Sequence, residues 1–413
     1  MVALLGCGLV SARSQSVLTF AEYMRNVREC NVGYLAEKYN VDIAAASAKA
    51  ARVMPDPELS VGYNNNQNWN LQMGYGWEVG LSYDLELGGK RRARMMLARS
   101  ETELADALLE DYFRNLRADA AIAYLGALRE QSLLGVQRAS CLQMDSLARA
   151  DSIRFRLGAI SEVDARQSRL EAGTLQLELY SRRGDLQDAL LQLLVMQGSR
   201  EMTLPDSVAG SLGRFRRDLT LPALLASALD RRADLKAALK SQDISQSNLR
   251  LARANRAIDL GLNIGGVYSS QVRNDIAPAP AFKGITAGIS VPLKFSGLNR
   301  GEVTAAGLSA RQSDMQYEAA ELQIRAEVTQ AFNKYTLACS LVDHFDRGLL
   351  GEAAVILQKK IYSYRRGETG ILEVLNARRT WNEVQTGYLE TLFDCAGALV
   401  ELQRAAAIWD IEL

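Results

Sequence analysis

From Gly74 to Arg94 the chain reads GYGWEVGLSYDLELGGKRRAR, and its polarity pattern changes partway. Tyr75, Trp77, Val79, Leu81, Tyr83 and Leu85 are apolar and alternate with Gly76, Glu78, Gly80, Ser82 and Asp84. Period two predicts a strand with one apolar face. After Gly88 and Gly89 a basic, helix-favouring run begins. Three other stretches alternate. Leu59, Val61 and Tyr63 interleave with Glu58, Ser60 and Gly62, and this strand should pair with the 75–85 strand. Leu260, Leu262 and Ile264 interleave with Asp259, Gly261 and Asn263; Ile285, Ala287, Ile289, Val291 and Leu293 interleave with Thr286, Gly288, Ser290 and Pro292. The connections at 64–73 and 269–284 are polar and rich in Asn or Pro, as loops are.

The remaining pattern is helical. From about Lys90 to Arg156 there is no proline and little glycine. At ~1.5 Å per residue such a helix would reach on the order of 100 Å. Leu109, Phe113, Leu116, Ala120, Ala123 and Ala127 step by fours and threes, a coiled-coil seam. Leu308, Met315, Ala319, Leu322 and Ala326 behave likewise. Ordinary core packing is the other reading of such stripes.

The chain also repeats itself. LTFAEYMRNV from Leu18 is echoed by LTLPALLASAL from Leu219, and GLSYDLELGGKRRARM from Gly80 by GISVPLKFSGLNRGEV from Gly288. LGAISEVDAR from Leu157 is echoed by RGETGILEVLNAR from Arg366. The pairs Leu59/Leu260, Gly80/Gly288 and Gly158/Gly367 lie 201, 208 and 209 residues apart. The expected organisation is residues 1–16 as a signal peptide, then two copies of a helix–strand–strand–long helix–helix unit at 17–210 and 211–413. The opening MVALLGCGLVSARSQS has the apolar run and small residues of a secretory signal, and LLGC makes Cys7 a candidate for lipidation.

The two faces of the strands suggest where they work. The polar face is mostly glycine, serine and charge, which suits a water-filled lumen. Tyr75, Trp77 and Tyr83 suit an outward face meeting lipid headgroups. A soluble sheet packed on a core is the alternative. Four strands cannot close a barrel, so several chains would have to contribute.

This arrangement resembles the TolC family of outer-membrane efflux channels. The resemblance rests on the duplicated units, on LELGGKR at 85–91 and VPLKFSGLNRGEV at 291–303, and on the turns FRLGAIS at 155–161 and YRRGETG at 364–370. LELGGKR is most like the heavy-metal branch, the outer-membrane subunits of cobalt–zinc–cadmium or copper RND pumps. The resemblance implies a mainly α protein with a transmembrane β-barrel contribution. It implies a homotrimer, with a 12-stranded barrel in outer-membrane lipid and an α-helical tunnel across the periplasm. It implies a periplasmic adaptor (membrane fusion protein) and an inner-membrane RND transporter as partners.

The same resemblance assigns residues. Gly88, Gly89 and Gly297 would mark the barrel-to-tunnel transition. Arg156, Leu157, Gly158 and Ala159 would form one adaptor-contacting tip, and Arg366, Gly367, Glu368 and Thr369 the other, with Arg154 and Arg365 adding polar contacts. Gly158 and Gly367 also fit helix C-caps, which need no partner. Counting from the tip glycines, Glu373, Asn376 and Asp164 fall where the family narrows the periplasmic entrance. Three copies of Glu373 would make a carboxylate ring attractive to cations. Asn376 departs from the family's acid there.

Composition changes little in this picture. Charged residues are 23% with formal net charge +0, so nothing argues for nucleic acid. Cys7, Cys30, Cys141, Cys339 and Cys395 are scattered without a CxxC pair, neither a disulfide framework nor a zinc site. The lone histidine, His344, has no metal-ligand spacing around it, and no GxSxG or GxxxxGK occurs. Glu101 and Glu103 lie in a helix pattern with no cleft implied. The expectation is a passive exit duct, with no enzyme activity, no cofactor and no metal site of its own. A duct for drugs or secreted polypeptide is one alternative, and a soluble periplasmic coiled-coil scaffold or adaptor is another.

Overall fold

The computed structural model describes residues 17–66, 72–213, 215–273, 275–293 and 298–411. The expected signal peptide, Cys7 and Gly297 lie outside the described residues. In chain order the elements are β1 (Val17–Leu18), α1 (Phe20–Cys30), α2 (Val32–Ala50), β2 (Glu58–Asn65), β3 (Tyr75–Leu85), α3 (Lys90–Arg156) and α4 (Glu162–Met196). There follow β4 (Ser207–Val208), α5 (Leu221–Arg231), α6 (Ala233–Ala254), β5 (Leu260–Ser269), β6 (Phe282–Ser290) and α7 (Leu298–His344). A π-helical turn at Phe345–Leu349 leads into α8 (Leu350–Arg366), and α9 (Ile371–Ala406) closes the described chain. The helix predicted from Lys90 to Arg156 forms over that span. Among the described residues no helix is long and apolar enough to cross a membrane.

The chain divides into two compact units, each drawing on both halves of the sequence. One comprises residues 38–109 and 233–321 and holds the four-stranded sheet. Its order is β2-β3-β5-β6, antiparallel throughout. The register sets Leu59 opposite Leu81, Leu81 opposite Ile264, and Leu262 opposite Ile289, so the alternating apolar residues share one face. That face is bare within the chain: Leu59 is 70% exposed and Ile285 86%. The strand predicted through Leu293 stops at Ser290. Pro292 has no amide hydrogen to give to a ladder.

The opposite face repeats one pairing five times, a glycine across from a short polar side chain, beside Glu58, Glu78 and Asp84. Ser60 faces Gly80, Asn64 faces Gly76, Ser290 faces Gly261, Asn263 faces Gly288 and Thr286 faces Gly265. At each of these glycines a Cβ would come within 2.2–2.9 Å of the partner's side-chain oxygen. Glycine leaves room there for the polar side chain opposite.

The other unit comprises residues 17–37, 110–232 and 322–411 of the described chain and is helical apart from the parallel pair β1 and β4. Its core centres on α3, where Ala118, Ala120, Ala121, Tyr124, Leu125 and Ala127 are fully buried. The rings of Phe20 and Tyr23 lie 5.2 and 5.5 Å from that of Tyr124. The Tyr124 hydroxyl is 2.8 Å from the Leu18 carbonyl and 2.7 Å from that of Ala209, donating to the strand segments beside it. In the second half Tyr335 holds the Phe215 and Arg217 carbonyls at 3.0 and 3.2 Å in the same manner.

The two predicted seams differ in fate. Ala120 and Ala127 of the first are buried. Leu308, Met315 and Leu322 of the second are 58–69% exposed within the chain, because α7 turns Ser313, Ile324, Val328 and Tyr335 inward instead. The second seam is therefore not part of the chain's own core.

Candidate functional site

LELGGKRRAR is a junction built from local clamps. Gly88 and Gly89 both adopt left-handed backbone, at φ +72° and +76°, which glycine takes without the penalty other residues meet. A Cβ on Gly88 would lie 2.1 Å from the Ala257 Cβ, whereas Gly89 has open space. The polar groups of the motif then tie the turn down. Arg94 grips Glu86 through two bonds of 2.8 and 3.1 Å, and this contact holds the guanidinium pKa above its ordinary value. Arg94 also reaches the Ala51 and Val53 carbonyls, and Arg91 that of Arg52, pinning the segment after α2. Asp259, just before β5, accepts from the Leu87 amide and pairs with the buried ammonium of Lys90. Glu86 and Arg94 could have been matched from the motif alone. The Lys90 pair has no local signal, since its partner is 169 residues away.

The two helix turns close identically. At the first, the Gly158 amide bonds the Phe155 carbonyl at 2.9 Å and the Ala159 amide that of Arg154 at 2.8 Å. At the second, the Gly367 amide bonds the Tyr364 carbonyl and the Glu368 amide that of Ser363, both at 3.0 Å. Gly158 and Gly367 sit at φ +71° and +79°. This is the Schellman cap expected of a glycine after a helix end. Arg156, Leu157, Gly158 and Ala159 are exposed, as are Arg366, Gly367 and Glu368; Leu157 is 77% exposed. Thr369 is half-buried.

Behind the turns lies a packed cluster of Met144, Ala148, Ala172, Leu175, Ile371, Val374 and Leu375. It contains a polar tie. Tyr364 on α8 donates a 2.8 Å bond to Asp151 on α3, whose carboxylate is wholly buried, and the Arg154 guanidinium lies 4.9 Å from the Tyr364 ring centroid. Burial first, then the bond to Asp151, raises the Tyr364 pKa.

The candidate gate carboxylates are both engaged. Ser161 caps α4: its hydroxyl accepts from the Asp164 amide at 3.1 Å and donates to the Asp164 carboxylate at 2.8 Å. Asp164 is half-buried. Glu373, in the first turn of α9, pairs with Lys360 of α8. Asn376 is exposed one turn further on. Sequence reading missed Lys360, because its spacing from Glu373 has meaning only once the α8–α9 hairpin is formed. Among the described residues no group of three or more His, Cys, Asp or Glu could hold a metal ion.

Comparison with known proteins adds to this geometry. The family model described as "Outer membrane efflux protein" matches residues 35–199 and 224–407. The cobalt-zinc-cadmium resistance protein CzcC of Cupriavidus metallidurans is 23% identical over 374 residues, covering 91% of this chain and 86% of that protein. The toluene efflux pump outer membrane protein TtgF of Pseudomonas putida is 22% identical over 351 residues, 82% of this chain and 71% of its own. Crystal structures of CusC superpose with a TM-score of 0.76 at 18% identity, over 94% of this chain and 91% of that one. The Campylobacter jejuni CmeC outer membrane channel superposes with a TM-score of 0.76 at 14% identity, over 94% and 85%.

Proposed function

The chain belongs to the outer membrane efflux protein family, and from that premise we propose that three copies form the exit duct of a tripartite RND pump for heavy-metal cations. The protein is an outer-membrane protein whose helical part extends into the periplasm. The observation that carries the duct reading is the four-stranded sheet. One face is largely apolar and exposed, the other carries glycine, short polar side chains and the carboxylates Glu58, Glu78 and Asp84, and the strand β3 passes through two glycines into α3. A bilayer offers backbone groups no hydrogen-bond partner, so strands can span it only in a closed barrel. Three sheets of four strands would close one. The exposed stripe Leu308, Met315 and Leu322 supports the same assembly, as a surface for a neighbouring copy to cover.

In this reading the duplicated halves, 17–210 and 211–413, each supply two strands and one capped turn. The tips around Gly158 and Gly367 meet a periplasmic adaptor, with Arg156, Leu157, Ala159, Arg366, Glu368 and Thr369 in the contact. Glu373 faces the entrance and attracts cations, and Lys360 moderates it. Asp164 serves first as part of a helix cap, and Asn376 leaves the ring with one acid per chain at that level. The cargo assignment draws on the resistance function in the printed name of CzcC and on the LELGGKR motif. The energy comes from the inner-membrane partner, since the duct itself only lets cargo diffuse outward.

The test is to purify the chain from outer membranes in detergent and measure its mass and planar-bilayer conductance. A trimer with discrete conductance is expected. A monomer recovered without detergent, giving no conductance, would overturn the duct. Cargo is read separately. Cells lacking their own channel but holding the cognate pump should regain resistance to zinc, cobalt or cadmium on expression of this chain. Restored tolerance to toluene with none to metals would reassign the cargo.

A further inference from the structure

Cys339 and Cys395 are 56 residues apart in sequence, yet their sulfurs meet at 3.3 Å. Cys339 lies on α7 and Cys395 on α9, both within the helical unit. Cys395 is 6% exposed and Cys339 is half-buried. Tyr335, one turn earlier on α7, borders the pair while its hydroxyl holds the Phe215 carbonyl. Shortly beyond the pair α7 breaks. The π-helical turn Phe345–Leu349 contains Gly348 at φ +137°, outside helical geometry. Such turns interrupt the regular ladder and let a helix change direction. The Phe345 ring lies 5.7 Å from that of Tyr388 on α9, tilted against it, and the Tyr388 hydroxyl donates to Asp346 at 3.0 Å.

The compartment matters as much as the distance. Disulfides form and persist in the bacterial periplasm, and a cysteine pair in contact there is exposed to oxidants for the life of the protein. We propose that Cys339 and Cys395 are joined in the mature protein by an intrachain disulfide that fastens α7 to α9 just ahead of the π-helical break.

The reaction is thiol–disulfide exchange with a periplasmic disulfide donor. The thiolate of Cys339, the more accessible sulfur, attacks the donor's S–S bond and releases one donor sulfur as a thiol. Cys395 then attacks the Cys339 sulfur of the mixed disulfide and expels the second donor thiol. Two cysteine thiols are oxidised to one disulfide, one donor disulfide is reduced to two thiols, and the two cysteine protons end on the donor. The bond encloses α8, the second turn and most of α9. A cross-link over so long a segment stabilises chiefly by restricting the unfolded chain.

This inference rests on the periplasmic placement of the helical unit and is independent of cargo. The test takes the full protein from outer membranes, quenched in acid, denatured and alkylated with N-ethylmaleimide before and after reduction. Cys30 and Cys141 serve as internal standards that should react without reductant. The expected result is that Cys339 and Cys395 react only after reduction, with a single linked peptide joining them within one chain. Reduction should lower the apparent Tm by about 5 °C, and Cys339→Ser should show the lower value with or without reductant. Both cysteines reacting before reduction, a link between two copies, or a Tm indifferent to reductant would each overturn it. Free thiols in outer-membrane protein sink the cross-link alone, whereas recovery in the soluble fraction would sink the placement on which it rests.

Discussion

Gly88 and Gly89 share one backbone conformation but not one environment, and substitution separates the two causes. Gly89→Ala meets only the left-handed penalty, roughly 1–2 kcal/mol. Gly88→Ala meets the same penalty and drives a methyl into Ala257. Melting of the detergent-solubilised protein should therefore show the Gly88 variant distinctly less stable than the Gly89 variant; equal losses would mean Ala257 simply moves aside. Ala407 offers the opposite case. It ends α9 at φ +53° and closes it with the same pair of bonds that Gly198 makes after α4. Ala407→Gly should raise stability by up to about 1 kcal/mol, read as an upward shift in Tm. At the proposed gate, Glu373→Gln should lower cation preference in single-channel recordings, and Lys360→Met should raise it by leaving the carboxylate uncompensated. An unchanged permeability ratio in both would remove this pair from the conduction path.

Among the elements, α3 and α8 are joined below the turns by the Tyr364–Asp151 bond. Removing the phenol leaves a buried carboxylate without its donor, a loss of about 2–3 kcal/mol. Tyr364→Phe should speed amide exchange at the ends of α8 and α9 and leave the sheet unaffected. Asp151→Asn, which keeps an acceptor without the charge, should be milder. Period-two alternation located the four strands of the larger sheet, and the lack of proline with little glycine located α3 to its ends. The αL roles of Gly158 and Gly367 were also readable, because a glycine after a helical run has few other uses. What could not be read was long-range pairing. Lys90 with Asp259, Tyr364 with Asp151 and Cys339 with Cys395 each join segments that no local pattern relates. The stripe at Leu308, Met315 and Leu322 was visible as a seam, but its exposure was not, since periodicity marks a face without saying what covers it.

At the scale of the molecule, buried tyrosines set an alkaline limit. Burial pushes Tyr124 up to about 12 and also raises Tyr23 and Tyr335. In the unfolded chain a tyrosine titrates near 10. Below that pH both states keep the proton and the stabilisation is whole; above it the unfolded state sheds protons first, and stability falls as pH rises through the folded values. The melting temperature should decline from about pH 10 to 12, and Tyr124→Phe should flatten the decline; a profile that stays level would mean these hydroxyls are reached by solvent. The sheet's polar face has a different consequence. Gly76, Gly80, Gly261, Gly265 and Gly288 are each roofed by a serine, threonine or asparagine from the next strand, so the wall has little relief there, and Glu58, Glu78 and Asp84 lie on the same face. A hydrated cation passing such a surface would find carboxylates and little else to slow it. Its pauses would then fall where the charges stand, and the shape of the wall between them would add none.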